Sequence, residues 1–290
     1  MFGCASVVPP VEINQSPAAI EATAFPAGHT PVALVLSGGA ARGFAHIGVI
    51  RVLEENGMRP DIVVGTSAGS IVGALYASGL TANELQIAMQ QMDATVFSDF
   101  VMPGFGFLRG EMGFIRGDKL HRFIDARLKH HHIQDFPIRF AAVASDLSTG
   151  KPTAFNSGDA GWAVVASSAI PGIISPAEIN GKRYSDGQMT SPLPNSISRE
   201  LGAQIVIAID VVYPPDDAVL YSPISILFKA FTISVYRLKE HELHQANLVI
   251  TPDLGKHAGQ LSFDDSDRLI AAGEAAARSA LPQLTLLFKK

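Results

Sequence analysis

Residues 62–77 constrain the fold of this chain more than any other stretch. An apolar run, Ile62-Val63-Val64, leads into Gly65-Thr66-Ser67-Ala68-Gly69, and small and apolar residues then continue from Ser70 to Ala77. Strand, tight turn and helix is the context in which Gly-x-Ser-x-Gly forms an elbow with a serine hydroxyl at its tip. Gly65 and Gly69 carry no β-carbon, so strand and helix can approach closely on either side of Ser67. The hydroxyl of Ser67 would then stand beside the positive end of a helix dipole.

The same alternation runs along the rest of the chain. Apolar runs at 32–36, 62–64, 139–144, 205–209 and 248–251 predict strands. Helical patterns lie near 43–57, 69–79, 82–92, 117–129, 159–168, 195–202, 222–245 and 265–279. Continuously apolar strands separated by helices predict a mainly parallel central sheet covered on both faces, a three-layer α/β/α sandwich. Asn180-Gly181, between Ala177-Glu178-Ile179 and Lys182-Arg183-Tyr184, signals a hairpin with a type I′ turn. Residues 1–30 are rich in Pro, Ala and Ser and read as an N-terminal arm or tether, leaving 31–290 as one domain. The Gly- and Phe-rich stretch 98–113 reads as an irregular loop whose apolar residues, Phe100, Phe105 and Phe107 among them, pack as core or form a flap over an apolar site.

Composition narrows the function classes. Of 290 residues, 47% are hydrophobic and only 17% charged, which fits a large buried interior and not a disordered chain. A net charge of −5 without a long basic run argues against a nucleic-acid partner. The most apolar helical stretch, from Ile224 to Val235, is short and interrupted by Lys229, so it reads as part of an amphipathic helix and not as a membrane span. The one cysteine, Cys4, follows Gly3 in a context that resembles the end of a bacterial lipoprotein signal, although the charged and apolar regions of such a signal do not precede it. That resemblance suggests a cell-envelope protein anchored through Cys4; the alternatives are an exposed tail cysteine and a cytoplasmic protein.

A second Gly-rich turn, Ser37-Gly38-Gly39-Ala40-Ala41-Arg42-Gly43, follows the first predicted strand and opens a helix. Backbone N–H groups at such a turn can hold an anion. Nucleotide-phosphate patterns fail, because Phe44-Ala45 follows Gly43 and the glycines fall at 38, 39 and 43. An acyl-transfer oxyanion is the other candidate, and preorganised N–H donors at this turn would stabilise it. Arg42 either fixes this loop, attracts a phosphate head group or is a solvated residue at a helix start. A serine nucleophile needs a base. Asp186-Gly187, at the end of the hairpin strand, and His257, in a loop after Gly255, are the candidates, while His241 and His244 fall within a helix and read as exposed or capping. His130-His131-His132 fit the C-terminus of a helix better than a metal site. No metal or cofactor is implied.

Taken together, three blocks resemble the patatin-like phospholipase family, in particular its bacterial branch related to neuropathy target esterase. They are 36–48, from Leu36-Ser37-Gly38-Gly39 to His46-Ile47-Gly48; Gly65-Thr66-Ser67-Ala68-Gly69; and Ala169-Ile170-Pro171-Gly172 followed by Asp186-Gly187. The resemblance covers roughly 31–282. It implies lipid acyl-ester hydrolysis of the phospholipase A or lysophospholipase type, with Ser67 as nucleophile, Asp186 as base without a catalytic histidine, and the amides around Gly38, Gly39 and Ala40 as the oxyanion hole. It also implies a lipid or phospholipid substrate and peripheral contact with membranes. Two positions depart from the family pattern: Ala40 replaces a glycine, and Gln188 replaces a small residue after Asp186-Gly187. A histidine-dependent esterase acting on soluble esters, and a silent lipid-binding protein that keeps the fold, remain the rival readings.

Overall fold

A computed structural model describes residues 16–22, 24–92, 94–99, 113–215, 222–255 and 265–289. Cys4, His257 and most of the 98–113 loop lie outside the described residues.

The strands are β1 (Val32–Leu36), β2 (Ile62–Thr66), β3 (Arg139–Asp146), β4 (Pro152–Phe155), β5 (Ala177–Ile179), β6 (Lys182–Asp186), β7 (Ile205–Ile209) and β8 (Leu248–Ile250). The helices among the described residues are α1 (Phe44–Glu55), α2 (Ala68–Ala77), α3 (Ala82–Gln90), α4 (Asp118–Asp125), α5 (Ala160–Ser167), α6 (Asn195–Glu200), α7 (Pro223–Leu243) and α8 (Ser266–Phe288). The sheet order is β5-β6-β3-β2-β1-β7-β8, with β4 paired to β3. The run β3-β2-β1-β7-β8 is parallel, and the pairings of β4, β5 and β6 are antiparallel.

The burial pattern explains the layering. Every residue of β1, β2 and β7 is buried, as in a sheet covered on both faces. Leu34 and Leu36 face a large cluster that includes Ile47 and Ile50 of α1, Leu75 of α2 and Ile270 of α8. Ala33 and Val35 face the opposite way, onto Leu193, Ile197 of α6 and Leu243 at the end of α7. The molecule is therefore an α/β/α sandwich. The chain passes from β1 to β2 on one side of β1, whereas β7 pairs on its other side. Loops leaving the C-terminal ends of strands at such a reversal border a crevice.

Most predicted elements appear with shifted ends. The hairpin turn has φ 53° at Asn180 and 74° at Gly181, as a type I′ turn requires. The last helix runs to Phe288 instead of 279 and contains Pro282. The strand β4 was not anticipated. The histidines 130–132 lie beyond the end of α4 at Asp125, so they do not serve its dipole; His131 Nδ1 instead pairs with Asp125 Oδ1 at 2.7 Å. The described part of residues 16–30 is packed on the domain: Ala18 forms a bridge with Ser157, and Arg139 lies 3.6 Å from the Phe25 ring centroid.

Candidate active site

The elbow forms as the sequence suggests. Ser67 sits between β2 and α2 with φ 53° and ψ −124°, a region that non-glycine residues rarely occupy. A β-carbon on Gly65 would run into Gly69, and one on Gly69 would meet the Ser37 carbonyl at 2.7 Å. Both flanking glycines are thus required by close backbone approach. The Ser67 amide donates to Ser167 Oγ at 3.0 Å, and the Ser167 hydroxyl donates to the Val143 carbonyl at 2.6 Å. Ser167, at the end of α5, therefore braces the strained turn; nothing in its small-residue sequence context singled it out.

Asp186 ends β6, the strand that runs antiparallel to β3. Its amide donates to the Ala169 carbonyl at 2.9 Å, and the Ser185 hydroxyl donates to the same carbonyl at 2.6 Å. The segment 169–172 thus acts as a bracket for the end of β6. The Ser145 hydroxyl secures the Asp186 carbonyl at 2.8 Å. So held, the carboxylate is fully buried, and its Oδ2 accepts the Ser67 hydroxyl at 2.8 Å while its Oδ1 accepts the Gln188 amide at 2.8 Å. Burial is the largest influence on its ionisation and pushes its pKa from 3.8 up to about 7; the hydrogen bonds from Gln188 and Ser67 oppose the rise. A carboxyl poised near neutrality is suited to accept and return a proton.

The Gly-rich loop after β1 lies beside these two residues. Ala40 opens a 3-10 turn, Ala40–Gly43, and has φ 50°. The Gly38 amide donates to the Pro192 carbonyl at 3.2 Å, so it is spent on the scaffold and does not join the expected cradle. Among the described residues no acceptor is recorded for the Gly39 and Ala40 amides. His46, in the first turn of α1, braces the loop from behind: Nε2 donates to the Ser37 carbonyl at 2.9 Å. Complete burial lowers its pKa from 6.5 to about 4, so the ring is neutral and bears that proton on Nε2.

Ser67, Ala40, Arg42 and Gln188 line one cavity, roofed by Phe228, Phe231 and Val235 of α7. Arg42 is buried, with its guanidinium carbon 5.8 Å from the Tyr213 ring centroid, which excludes the solvated reading. Gln188 lies against Gly38 and narrows the space beside Ser67. No described histidine lines this cavity; His241 and His244 are exposed. Among the described residues, no group of three or more His, Cys, Asp or Glu side chains is gathered as a metal centre requires.

The roof is clamped at its far end. Lys239 of α7 donates to Asp210 Oδ2 at 2.7 Å and to the Val212 carbonyl at 2.6 Å. Glu242 accepts the Ser191 hydroxyl and the Asn195 amide, and Ser191 in turn gives its carbonyl to the Thr66 hydroxyl at 2.9 Å. These polar residues tie α7 to the segments that follow β7 and Asp186.

Residues 34–197 match the sequence profile described as patatin-like phospholipase. The chain belongs to the patatin-like phospholipase family. Among relatives of this patatin-like chain, an uncharacterised NTE family protein of Mycobacterium tuberculosis is 34% identical over 180 residues, covering 62% of this chain and 49% of its own length. The mouse patatin-like phospholipase domain-containing protein 6 is 33% identical over 182 residues, covering 62% of this chain and 13% of the mouse protein. A lysophospholipase of Coccidioides immitis is 34% identical over 184 residues, covering 62% of this chain and 11% of its own length. The chain spans about half the length, or less, of these curated relatives. Among solved structures, VipD from Legionella pneumophila aligns with a TM-score of 0.48 at 13% identity, covering 92% of this chain and 70% of VipD.

Proposed function

We propose that this patatin-like chain hydrolyses acyl esters of lipids, with Ser67 as nucleophile and Asp186 as general base. The observation that carries the reading is the 2.8 Å hydrogen bond from the Ser67 hydroxyl to a fully buried carboxylate. The family membership and the lysophospholipase among its relatives support a lipid ester as substrate.

In the scheme, Asp186 takes the Ser67 proton as Oγ attacks the ester carbonyl. The carbonyl electrons move onto oxygen, and the Gly39 and Ala40 amides receive that oxyanion. Each such donor lowers the barrier by roughly 2.7–4 kcal/mol. Collapse expels the alcohol or lysolipid, which takes the proton back from Asp186. Water then gives a proton to Asp186 and attacks the acyl-enzyme, and the fatty acid leaves as Ser67 regains its hydrogen. The chain's own residues supply every step, with no cofactor.

The test is hydrolysis of a soluble chromogenic ester and of a lysophospholipid by Ser67→Ala and Asp186→Asn. Activity should fall by at least about 10³-fold in each. An organophosphonate should label Ser67, located by mass spectrometry. A Ser67→Ala protein with undiminished activity would overturn the proposal. A His257→Ala protein that loses nearly all activity would shift it to a histidine-dependent esterase.

A further inference from the structure

Gln188 is only 9% exposed and lines the same cavity as Ser67, Gly39 and Ala40. Its backbone amide donates to Asp186 Oδ1, on the carboxylate whose other oxygen holds the Ser67 hydroxyl. Its carboxamide lies against Gly38, at the start of the Gly-rich loop. Among the described residues no hydrogen bond is recorded for that carboxamide. Its place is fixed from two sides. Asp186 caps the short 3-10 turn Gly187–Met189 that carries it, and the Gly38 amide is tied to the Pro192 carbonyl.

An amide buried without a hydrogen bond is costly, so such a group is normally met by solvent or by a ligand. Water can meet it while the site is open. A bound ester that displaces the water must return its hydrogen bonds or forfeit affinity. The carboxamide offers both a donor and an acceptor. A hydroxyl offers both as well and can pair with either end. A phosphate oxygen only accepts, and suits a cation such as Arg42 in the same cavity better. A fatty chain offers neither, and finds an apolar wall in Phe228, Phe231 and Val235 instead. In a lipid ester the matching hydroxyl therefore belongs to the alcohol portion, beside the bond that Ser67 attacks.

We infer that Gln188 determines specificity: its carboxamide holds a free hydroxyl on the alcohol portion of the ester, next to the scissile bond. The site then favours partly acylated alcohols over those whose neighbouring hydroxyl is also esterified. A substrate lacking the hydroxyl leaves the carboxamide stripped of water and unpaired, which is how a hydrogen-bonding site rejects an analogue. This inference rests on the hydrolase reading above and names its substrate class.

The experiment compares two soluble esters of nearly equal shape, hydroxyethyl butyrate and propyl butyrate, in which a methyl group replaces the hydroxyl. The cavity has a volume of about 30 Å³ and must widen for any ester. Both members of the pair meet that requirement equally, so it cancels in their ratio. The ratio of kcat/KM, divided by the ratio of their alkaline hydrolysis rates, should favour the hydroxy ester by at least about tenfold. Gln188→Met, which keeps the length of the side chain, should bring that ratio close to unity, and so should Gln188→Ala. Monohexanoylglycerol and hexanoyl lysophosphatidylcholine share the hydroxyl and differ in the phosphate. Gln188→Met should lower kcat/KM on both by a similar factor, and the better wild-type substrate of the two names the source of the hydroxyl. Calorimetry on the Ser67→Ala protein gives a readout without turnover: it should bind hydroxyethyl butyrate more tightly than propyl butyrate, and Ser67→Ala/Gln188→Met should erase the difference. No hydroxyl preference in either readout overturns the inference. So does a preference that survives Gln188→Met, because Arg42 or Thr232 would then hold the hydroxyl. A loss confined to the phosphate-bearing lipid overturns it too, since the carboxamide would then read the head group. Gln188-dependent binding of the hydroxy ester without hydrolysis of any ester would instead defeat the hydrolase reading and leave the hydroxyl site standing.

Discussion

Gln188 lies across Gly38 in the space where a β-carbon on that residue would stand: such an atom would come within 2.6 Å of Gln188 Oε1. The two residues belong to the two loops that meet at Ser67. The Gly38 amide is pinned to Pro192 on the other side, so the loop cannot simply retreat. Gly38→Ala should therefore push Gln188 into the cavity and cut hydrolysis of a short soluble ester by about tenfold or more. Removing the obstacle with Gln188→Ala should restore much of that loss. A double-mutant cycle on kcat/KM should give a coupling of at least about 1 kcal/mol. Additive effects would mean that the two side chains do not compete for space.

The buried Asp186 carboxyl gives a pH signature. A base must be ionised to act, and burial raises this one to about 7. On a soluble ester, kcat/KM should rise about tenfold per pH unit below pH 6 and level off above roughly pH 8. Glu242 is also raised to about 7 by burial, but it serves the α7 clamp, so Glu242→Gln should leave the inflection in place.

The same shift has a consequence for stability with a fixed sign. The folded protein holds the Asp186 proton more tightly than the unfolded chain, whose value is 3.8. The associated stability is full below about pH 4 and is lost as pH rises through about 7. Asp186→Asn carries no such charge. Its melting temperature should gain on the wild type across that window and keep a constant lead above it, as thermal scans in a pH series would register.

Backbone strain at Ser67 is testable in a pair of variants that both lack the hydroxyl. With φ 53° and ψ −124°, position 67 penalises any β-carbon. Ser67→Gly should be more stable than Ser67→Ala by about 1–3 kcal/mol in urea unfolding, although glycine costs chain entropy elsewhere. Ala40→Gly should show a smaller gain of the same origin at φ 50°. Equal stability of Ser67→Gly and Ser67→Ala would show that the turn relaxes to accept a side chain.

The parallel strands were legible because a sheet covered on both faces forces continuous apolar runs, as in β1, β2 and β7. The strand β4 was not, because Pro152 opens it and most of its side chains are not fully buried, so neither periodicity nor composition marks it. The end of α8 was not legible either: the helix passes through Pro282, which is exposed, and continues to Phe288, beyond the expected end near 279. At the site, the elbow around Ser67 announces itself locally. Asp186 does not, since Asp-Gly turns are common, and only the three blocks in order single it out. The i, i+3, i+7 pattern of Phe228, Phe231 and Val235 marks a buried face, but spacing says nothing of what that face covers.

The clamp on α7 yields the last prediction. Lys239 and Asp210 are both buried and hydrogen-bonded to each other, and Asp210 Oδ1 also accepts the Val212 amide at 2.9 Å. Removing one partner leaves an unpaired charge away from water, which typically costs about 3–5 kcal/mol. Lys239→Met should lower stability by that order in urea unfolding. Lys239→Met/Asp210→Asn should recover most of it, because the neutral pair leaves no buried charge while the amide oxygen of the introduced asparagine can still accept from Val212.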